Sequence, residues 1–500
     1  MEQKSATGLS YRILFLNTLA FTVCFAAWMF NGVFVAFLTD NQIFKWSPVQ
    51  VGWLLALPVL SGSIFRLHGG IWTDKYGGKW MMGGLLLFCA IPMFLMSYAN
   101  DFLSFALCSL GFGLAGVGFS IGIASTSMWF PKEWQGTALG IFGMGNFGAG
   151  ITTLVAPTLL KEITNNGANL ENWRQLPQIY AAALAIMGII FLLFTKNRKS
   201  EFAANKKFTE MLKPLKEVRV WRFGLYYYLV FGCFVALSQW LVPYYLNVYS
   251  VSLVTAGLLA TIFSMPSGLI RALGGWLSDR FGARKVMYWI FITSIVFCFL
   301  LIIPKMTITS PGEGIMAKRA GSVTYVSDSL VKIDDMSYTL IKHPTAHEIN
   351  GEDNAALPHK TAWQEPTVKI GDKVLKKQII AKGTTNIVFH ASIWVATFFI
   401  FLVGIIWGIG KAAVYKHIPN YFPNEVGAVG GMVGVLGGLG GFVSPIVFGY
   451  LLNWTGLWTS MWIFLWGVSI ICLWWMHHII TKMRDTAAPH TIGKFDAINK

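Results

Sequence analysis

Arg66-Leu-His-Gly69-Gly70-Ile-Trp-Thr-Asp74-Lys75-Tyr-Gly77-Gly-Lys79 returns 205 residues later as Arg271-Ala-Leu-Gly274-Gly275-Trp-Leu-Ser-Asp279-Arg280-Phe-Gly282-Ala-Arg284. Each copy sets an arginine inside a long apolar run and closes in a charged turn containing glycine. A guanidinium in hydrocarbon is costly unless it faces a cavity or a partner, so a matched pair marks a functional site in a duplicated membrane protein. The residue type narrows the ligand. A planar guanidinium can place two parallel hydrogen bonds on a planar oxyanion, which an ammonium cannot do, and a small anion is the expected occupant.

Composition agrees with a bilayer setting. Apolar residues make up 55% of the 500 and charged residues 12%, with a mean hydropathy of +0.56, values outside the range of soluble domains. The first apolar stretch, Ile13 to Leu38, is too long for a signal-peptide core and reads as a retained first helix. The six cysteines, Cys24, Cys89, Cys108, Cys233, Cys298 and Cys472, fall within apolar runs and read as small buried residues rather than a disulfide framework.

Apolar runs of about 20 residues predict twelve spanning helices, near 11–39, 49–70, 81–99, 102–130, 137–160, 177–195, 222–248, 252–275, 286–304, 389–415, 427–452 and 458–480. Lysine and arginine gather on one side. They include Lys75 and Lys79, the run from Lys196 through Arg198, Lys199, Lys206, Lys207, Lys213 and Lys216 to Arg219, then Arg280, Arg284 and Lys285, and finally Lys482 and Arg484. The short loops of the other side, Tyr249-Ser250 and Asn453-Trp454-Thr455, carry none, which places both termini in the cytoplasm. Much of the +16 net charge is then topological and gives no case for nucleic acid. The resulting division is an N-terminal six-helix bundle (1–195), a cytoplasmic linker (196–221) that also meets anionic lipid, helices 7–9 (222–305), an insert (306–387), and helices 10–12 with a cytoplasmic tail (388–500).

The insert follows from a mismatch between repeats. Phe130-Pro131-Lys-Glu133 recurs as Phe422-Pro423-Asn-Glu425 at an offset of 292, so the second half has gained 87 residues between Asp279 and Phe422. In that interval only about 306–387 lacks membrane character. It lies on the external side, reads as short β segments broken by Gly, Pro, Asn and Asp, and is expected to be a structural appendage or a docking module for a periplasmic partner. The stretch Val368 to Gly383 resembles the closing hairpin of lipoyl/biotinyl-like barrel-sandwich domains, without a hairpin lysine to modify. His343, His347 and His359 lack ligand spacing and read as surface residues, so neither metal nor cofactor is expected.

The duplicated Gly-Gly-x-x-x-Asp-Lys/Arg-x-Gly-x-Lys/Arg resembles the cytoplasmic loop motif of the major facilitator superfamily. On that resemblance Gly70, Asp74, Lys75, Gly275, Asp279 and Arg280 form a conformational latch, glycines permitting close helix approach and carboxylates capping or pairing. Helix 5 reads Gly136-Thr-Ala-Leu-Gly140-Ile-Phe-Gly143-Met-Gly145-Asn146-Phe-Gly148-Ala-Gly150. Helix 11 reads Gly427-Ala-Val-Gly430-Gly431-Met-Val-Gly434-Val-Leu-Gly437-Gly438-Leu-Gly440-Gly441-Phe442. With the arginines, these runs resemble the nitrate signatures of the nitrate/nitrite porter family, the NarK type. The resemblance implies an all-α membrane protein with the twelve-helix major facilitator fold, plus the small β-rich external insertion. It implies that Arg66 and Arg271 grip the anion, with Asn146, Gly145 and Gly437 from the signatures, Phe119 and Phe231 as aromatic walls, and Tyr227 as hydroxyl donor. Tyr226, Tyr227 and Tyr228 are consecutive, and only one or two of them can face a cavity.

Nitrate and nitrite are flat and weakly hydrated, so rings can cover their faces while donors meet their edges. No Asp or Glu stands in the middle of a predicted helix, which favours anion exchange over proton symport. His68 is the titratable candidate near Arg66 but, two residues on, should point away. The expectation is a monomeric nitrate/nitrite exchanger of the bacterial inner membrane, not an enzyme, working by alternating access between two six-helix bundles. A formate or oxalate porter should show a further cation in helix 11, and that helix has none.

Overall fold

The computed structural model describes residues 7–199, 213–303, 306–345, 359–389, 392–422 and 426–487. Lys206, Lys207, His347 and Pro423 to Glu425 lie outside the described residues. Among the described residues eleven helices are long and apolar enough to cross a bilayer: Gly8–Asp40 (helix 1), Pro48–Tyr76 (helix 2), Gly78–Tyr98 (helix 3), Phe102–Ser127 (helix 4), Thr137–Ile163 (helix 5), Leu170–Phe194 (helix 6), Val218–Tyr249 (helix 7), Ala283–Leu300 (helix 9), Ile393–Ile418 (helix 10), Val429–Thr455 (helix 11) and Ser460–Lys482 (helix 12). Helix 8 is a bent pair, Leu253–Leu269 and Leu273–Phe281, turning by 51°. Counting it as one span gives the twelve read from the sequence.

Local chemistry sets the helix ends and breaks. Ser47 and Gln50 form a capping box ahead of Pro48, and Thr7 with Ser10 does the same for helix 1. Pro58 has no N–H to offer the Leu54 carbonyl, and Asn31 Nδ2 donates to that carbonyl at 2.6 Å, tying helix 1 to helix 2 beside the proline. Gly77 and Gly282 end the two motif helices at φ of 91° and 84°, a backbone region that side chains strongly disfavour, so each repeat turns sharply into the next helix.

The two halves meet along helices 2 and 11, 5 and 8, and 1 and 7. Glycines make these contacts close. A Cβ on Gly52 would strike the Pro445 carbonyl, one on Gly438 the Ser63 side chain, one on Gly257 the Thr153 carbonyl, and one on Gly32 would lie 2.7 Å from Gln239 Cα. In a bilayer, where lipid is as apolar as leucine, such small-residue seams supply the contact surface that holds helices together.

Ile303–Ala396 forms a second compact unit. Its described residues hold seven strands: β1 (Met306–Met316), β2 (Gly321–Ser327), β3 (Leu330–Ile333), β4 (Met336–Thr339), β5 (His359–Pro366), β6 (Lys373–Val374) and β7 (Ile379–Phe389). One sheet runs β1-β7-β5 and the other β4-β3-β2-β6, with every pair antiparallel. Val323, Val331, Ile333, Leu340, Val374, Ile380 and Ala381 fill a core drawn from both sheets. Within Val368–Gly383, β6 and β7 join different sheets. His343 packs on the Trp363 ring at 4.7 Å.

Candidate functional site

Both motif arginines stand where their helices break. Phe65 and Ile270 interrupt the helical runs just before Arg66 and Arg271, so each guanidinium leaves from the first residue of a fresh helical turn. Arg66 is 3% exposed. Its Nε donates to the Gly116 carbonyl at 3.2 Å and its Nη1 to the Gly434 carbonyl at 3.4 Å, so one side chain ties helix 4 to helix 11 of the other half. Its Cζ lies over three rings, Trp28 at 5.1 Å, Phe231 at 5.2 Å and Phe119 at 5.5 Å. Arg271 Cζ lies 5.8 Å from the same Phe119 ring and 5.8 Å from Tyr415. Two cations from opposite halves thus converge on one phenyl ring.

Helices 4 and 5 tighten to 3-10 turns beside them, at Leu114–Val117 and Met144–Phe147. The glycine-rich sequence permits this, and departures from α-geometry free backbone groups, as Gly116 shows by accepting from Arg66. Asn146 sits in the second of these turns, 1% exposed, with neither amide atom hydrogen-bonded. Arg271 Nη1 is also buried without a partner. The two are neighbours: a Cβ on Gly143 would lie 3.6 Å from Arg271 Nη1, and one on Gly268 3.8 Å from Asn146 Cβ. Buried donors that find no partner are costly, and a ligand that accepts from both would remove the penalty.

Helix 7 winds into a π-type segment over Tyr228–Cys233, which turns Phe231 toward Arg66. Tyr227 stacks on Phe231 at 4.9 Å and 7°, and meets Tyr415 edge-on at 5.0 Å. The neighbours turn elsewhere, Tyr226 onto Phe291 and Tyr228 to the Ser444 hydroxyl at 3.2 Å. Gly145 and Gly437 lie at helix contacts: a Cβ would meet Phe21 at the first and Tyr227 at the second. His68 packs between Phe65 and Trp72, at 5.8 and 5.9 Å.

At the motif turns, the close approach is made by the first glycine of each pair. A Cβ on Gly69 would meet Val117 and one on Gly274 the Ile409 backbone, whereas Gly70 and Gly275 face open space. Asp279 pairs with Lys416 of helix 10; Asp74 makes no ion pair among the described residues. Lys75 and Arg280 lie over the rings of Tyr76 and Trp276 on their own helices, at 5.4 and 5.3 Å.

Three neighbours escaped the sequence reading. Trp28 and Tyr415 close the aromatic enclosure, and Lys411 of helix 10 is wholly buried, donating to Ser267 Oγ at 3.1 Å from a position over the Phe234 ring. Helix 10 was expected to end near residue 415, where a lysine would reach the interface; the helix runs to Tyr421, so Lys411 stands deep inside.

The family model for the Major Facilitator Superfamily matches residues 16–318. Over 489 residues the chain is 38% identical to the "Probable nitrate/nitrite antiporter NarK1" of Thermus thermophilus, covering 97% of this chain and 95% of that one. The "Nitrite extrusion protein" of Bacillus subtilis is 26% identical over 56% of this chain and 68% of its own. Among solved structures, a bacterial homolog of the human lysosomal transporter Spinster, inward-facing and occupied, superposes with a TM-score of 0.63 at 13% identity, covering 94% of this chain and 97% of that one. A D-xylose-proton symporter gives 0.59 at 12% identity, covering 93% and 97%; at such identities the likeness concerns the fold. The duplicated arginine motif, the twelve-span architecture and a match running through nearly the full length of a relative agree: the chain belongs to the major facilitator superfamily and, within it, to the NarK-type nitrate/nitrite porters.

Proposed function

We propose that this protein carries nitrate and nitrite across the bacterial inner membrane by alternating access, exchanging one anion for the other at a site between its two halves, with both termini in the cytoplasm and a single chain as the working unit. The observation that carries the reading is the convergence of Arg66 and Arg271 on the Phe119 ring, with Asn146 and Arg271 Nη1 buried and unpaired beside it. A flat anion lying against Phe119 accepts in its own plane from guanidinium and amide donors, while Phe231 covers the opposite face. Its charge offsets one of two cations otherwise held in a low-dielectric enclosure. The name of the Thermus relative supports the same substrate class.

Exchange follows from the charges. Two fixed guanidinium groups repel across the empty site, and a bound anion screens them, so the loaded carrier reorients more readily than the empty one. The Asp279–Lys416 pair joins helices 8 and 10 within the second half. Counterflow tests the reading: liposomes containing the purified chain and loaded with nitrite should accumulate labelled external nitrate. Formate and oxalate should compete poorly. Absence of counterflow, or uptake abolished by formate but not by nitrite, would overturn it.

A further inference from the structure

Lys411 is the buried cation that the anion site leaves unexplained. It is 0% exposed, its Nζ donates to the Ser267 hydroxyl at 3.1 Å, and it lies against the Phe234 ring. Glycines bring it there. A Cβ on Gly404 would lie 2.6 Å from the Phe263 carbonyl and one on Gly408 2.7 Å from the Ser267 carbonyl, so helix 10 presses on helix 8 one turn before Arg271. The ion pairs among the described residues are Arg174–Glu171 and Lys416–Asp279, and neither carboxylate reaches it.

The charged groups around it are few. Helix 8 contributes Arg271, one turn after the Ser267 hydroxyl that Lys411 meets. The ring it lies against, Phe234 of helix 7, and the hydroxyl it meets, Ser267 of helix 8, carry no charge. An ammonium enclosed without a counter-ion and facing a second cation is disfavoured, and one hydroxyl with one ring face offsets only part of that. An anion arriving at Arg271 changes the balance, because it attracts a proton on Lys411 as it does the guanidinium.

We propose that Lys411 is the proton-carrying group of this transporter: its amine takes one proton from the side on which nitrate binds and gives it up on the side on which nitrate leaves. The step balances. A free amine and a proton become an ammonium as nitrate enters, so the site carries two positive charges both empty and loaded. The empty carrier, no more charged than the loaded one, still returns, more slowly because no anion screens its guanidinium groups, and this slower net uptake adds to the faster exchange already argued. The proposal rests on the nitrate reading of the site.

The test uses the full chain in liposomes with a trapped pH-sensitive dye, without internal nitrite, at clamped zero membrane potential. Nitrate added outside should acidify the lumen one proton per anion, and an exterior one pH unit more acid should raise equilibrium accumulation about tenfold. Lys411→Met should lose both effects while nitrate/nitrite counterflow continues; Lys411→Arg, which cannot release its proton, should behave alike. A wild type that exchanges nitrate for nitrite but, in liposomes without internal nitrite, neither acidifies the lumen on nitrate addition nor accumulates more nitrate with an acid exterior overturns this proposal alone, and needs no variant to fold. Gradient-driven accumulation surviving in Lys411→Met overturns it as well. A wild type that neither binds nor exchanges nitrate removes the anion site and this proposal together.

Discussion

Arg66 and Arg271 occupy equivalent places in the repeat and end in different environments. Arg66 is held by two backbone carbonyls, one from each half of the molecule, under three rings. Arg271 faces two rings and keeps a buried Nη1 with no acceptor. Duplication therefore supplied two cations, and packing made one a clamp and the other a vacant donor. Because the Arg66 contact to Gly434 crosses between halves, an anion that takes over this donor also loosens a bond holding the halves together. Binding and movement are linked through one guanidinium.

The largest expected effect breaks the pair. Arg271→Lys keeps the charge and loses the fork, at about 1.5–3 kcal/mol per charge-assisted bond, so nitrate uptake should fall roughly a hundredfold with normal amounts of protein in the membrane. Near-normal transport would sink the two-arginine site. Arg66→Lys should lose as much transport and also melt several degrees lower, since Gly116 and Gly434 lose their donor. Equal melting temperatures for the two variants would remove the asymmetry.

Asn146→Leu sharpens the comparison at the vacant end. Its amide makes no internal hydrogen bond, so stability should hold while KM for nitrate rises about tenfold, the worth of one bond to a charged group. A large loss of thermal stability would show that the amide serves the fold instead.

The motif turns should differ more modestly. Asp279 holds Lys416, an exposed pair whose contribution is under about 1 kcal/mol, so Asp279→Asn should change the exchange rate two- to fivefold and Asp74→Asn less than twofold. Equal effects would mean that the ion pair is incidental.

The smallest effect is expected at the β unit. β1 and β7 pair from Met306 with Phe389, so the chain enters and leaves the unit at adjacent positions and a short linker can bridge them at little entropic cost. Replacing 310–384 by Gly/Ser should leave exchange within twofold, and the excised segment should fold alone around its two-sheet core. Membrane insertion without transport would show that the unit takes part in the path.

The class of protein, the duplication, the pair of arginines and the place of the insert were legible in the sequence because each depends on local composition or on spacing along the chain. Apolar run length reports the bilayer directly, and a repeat offset is arithmetic. Other features were not legible. Three consecutive tyrosines carry no mark of which one faces inward; a π-type segment in helix 7 sets Tyr227 on Phe231 and turns Tyr226 and Tyr228 aside. Gly69 and Gly70 look alike on paper, and helix rotation alone puts the first against Val117 and the second toward open space. Lys411 lies four residues from the end of the apolar run 389–415, and nothing along the chain shows that helix 10 continues to Tyr421 and holds it inside. The sequence by itself determined that this chain crosses the membrane as a doubled bundle and holds cations within it, since burying charge in hydrocarbon is a cost every residue shows individually. Which donors remain unpaired, and which rings they face, was decided only in the tertiary structure, because that depends on how helices far apart in the chain rotate and meet.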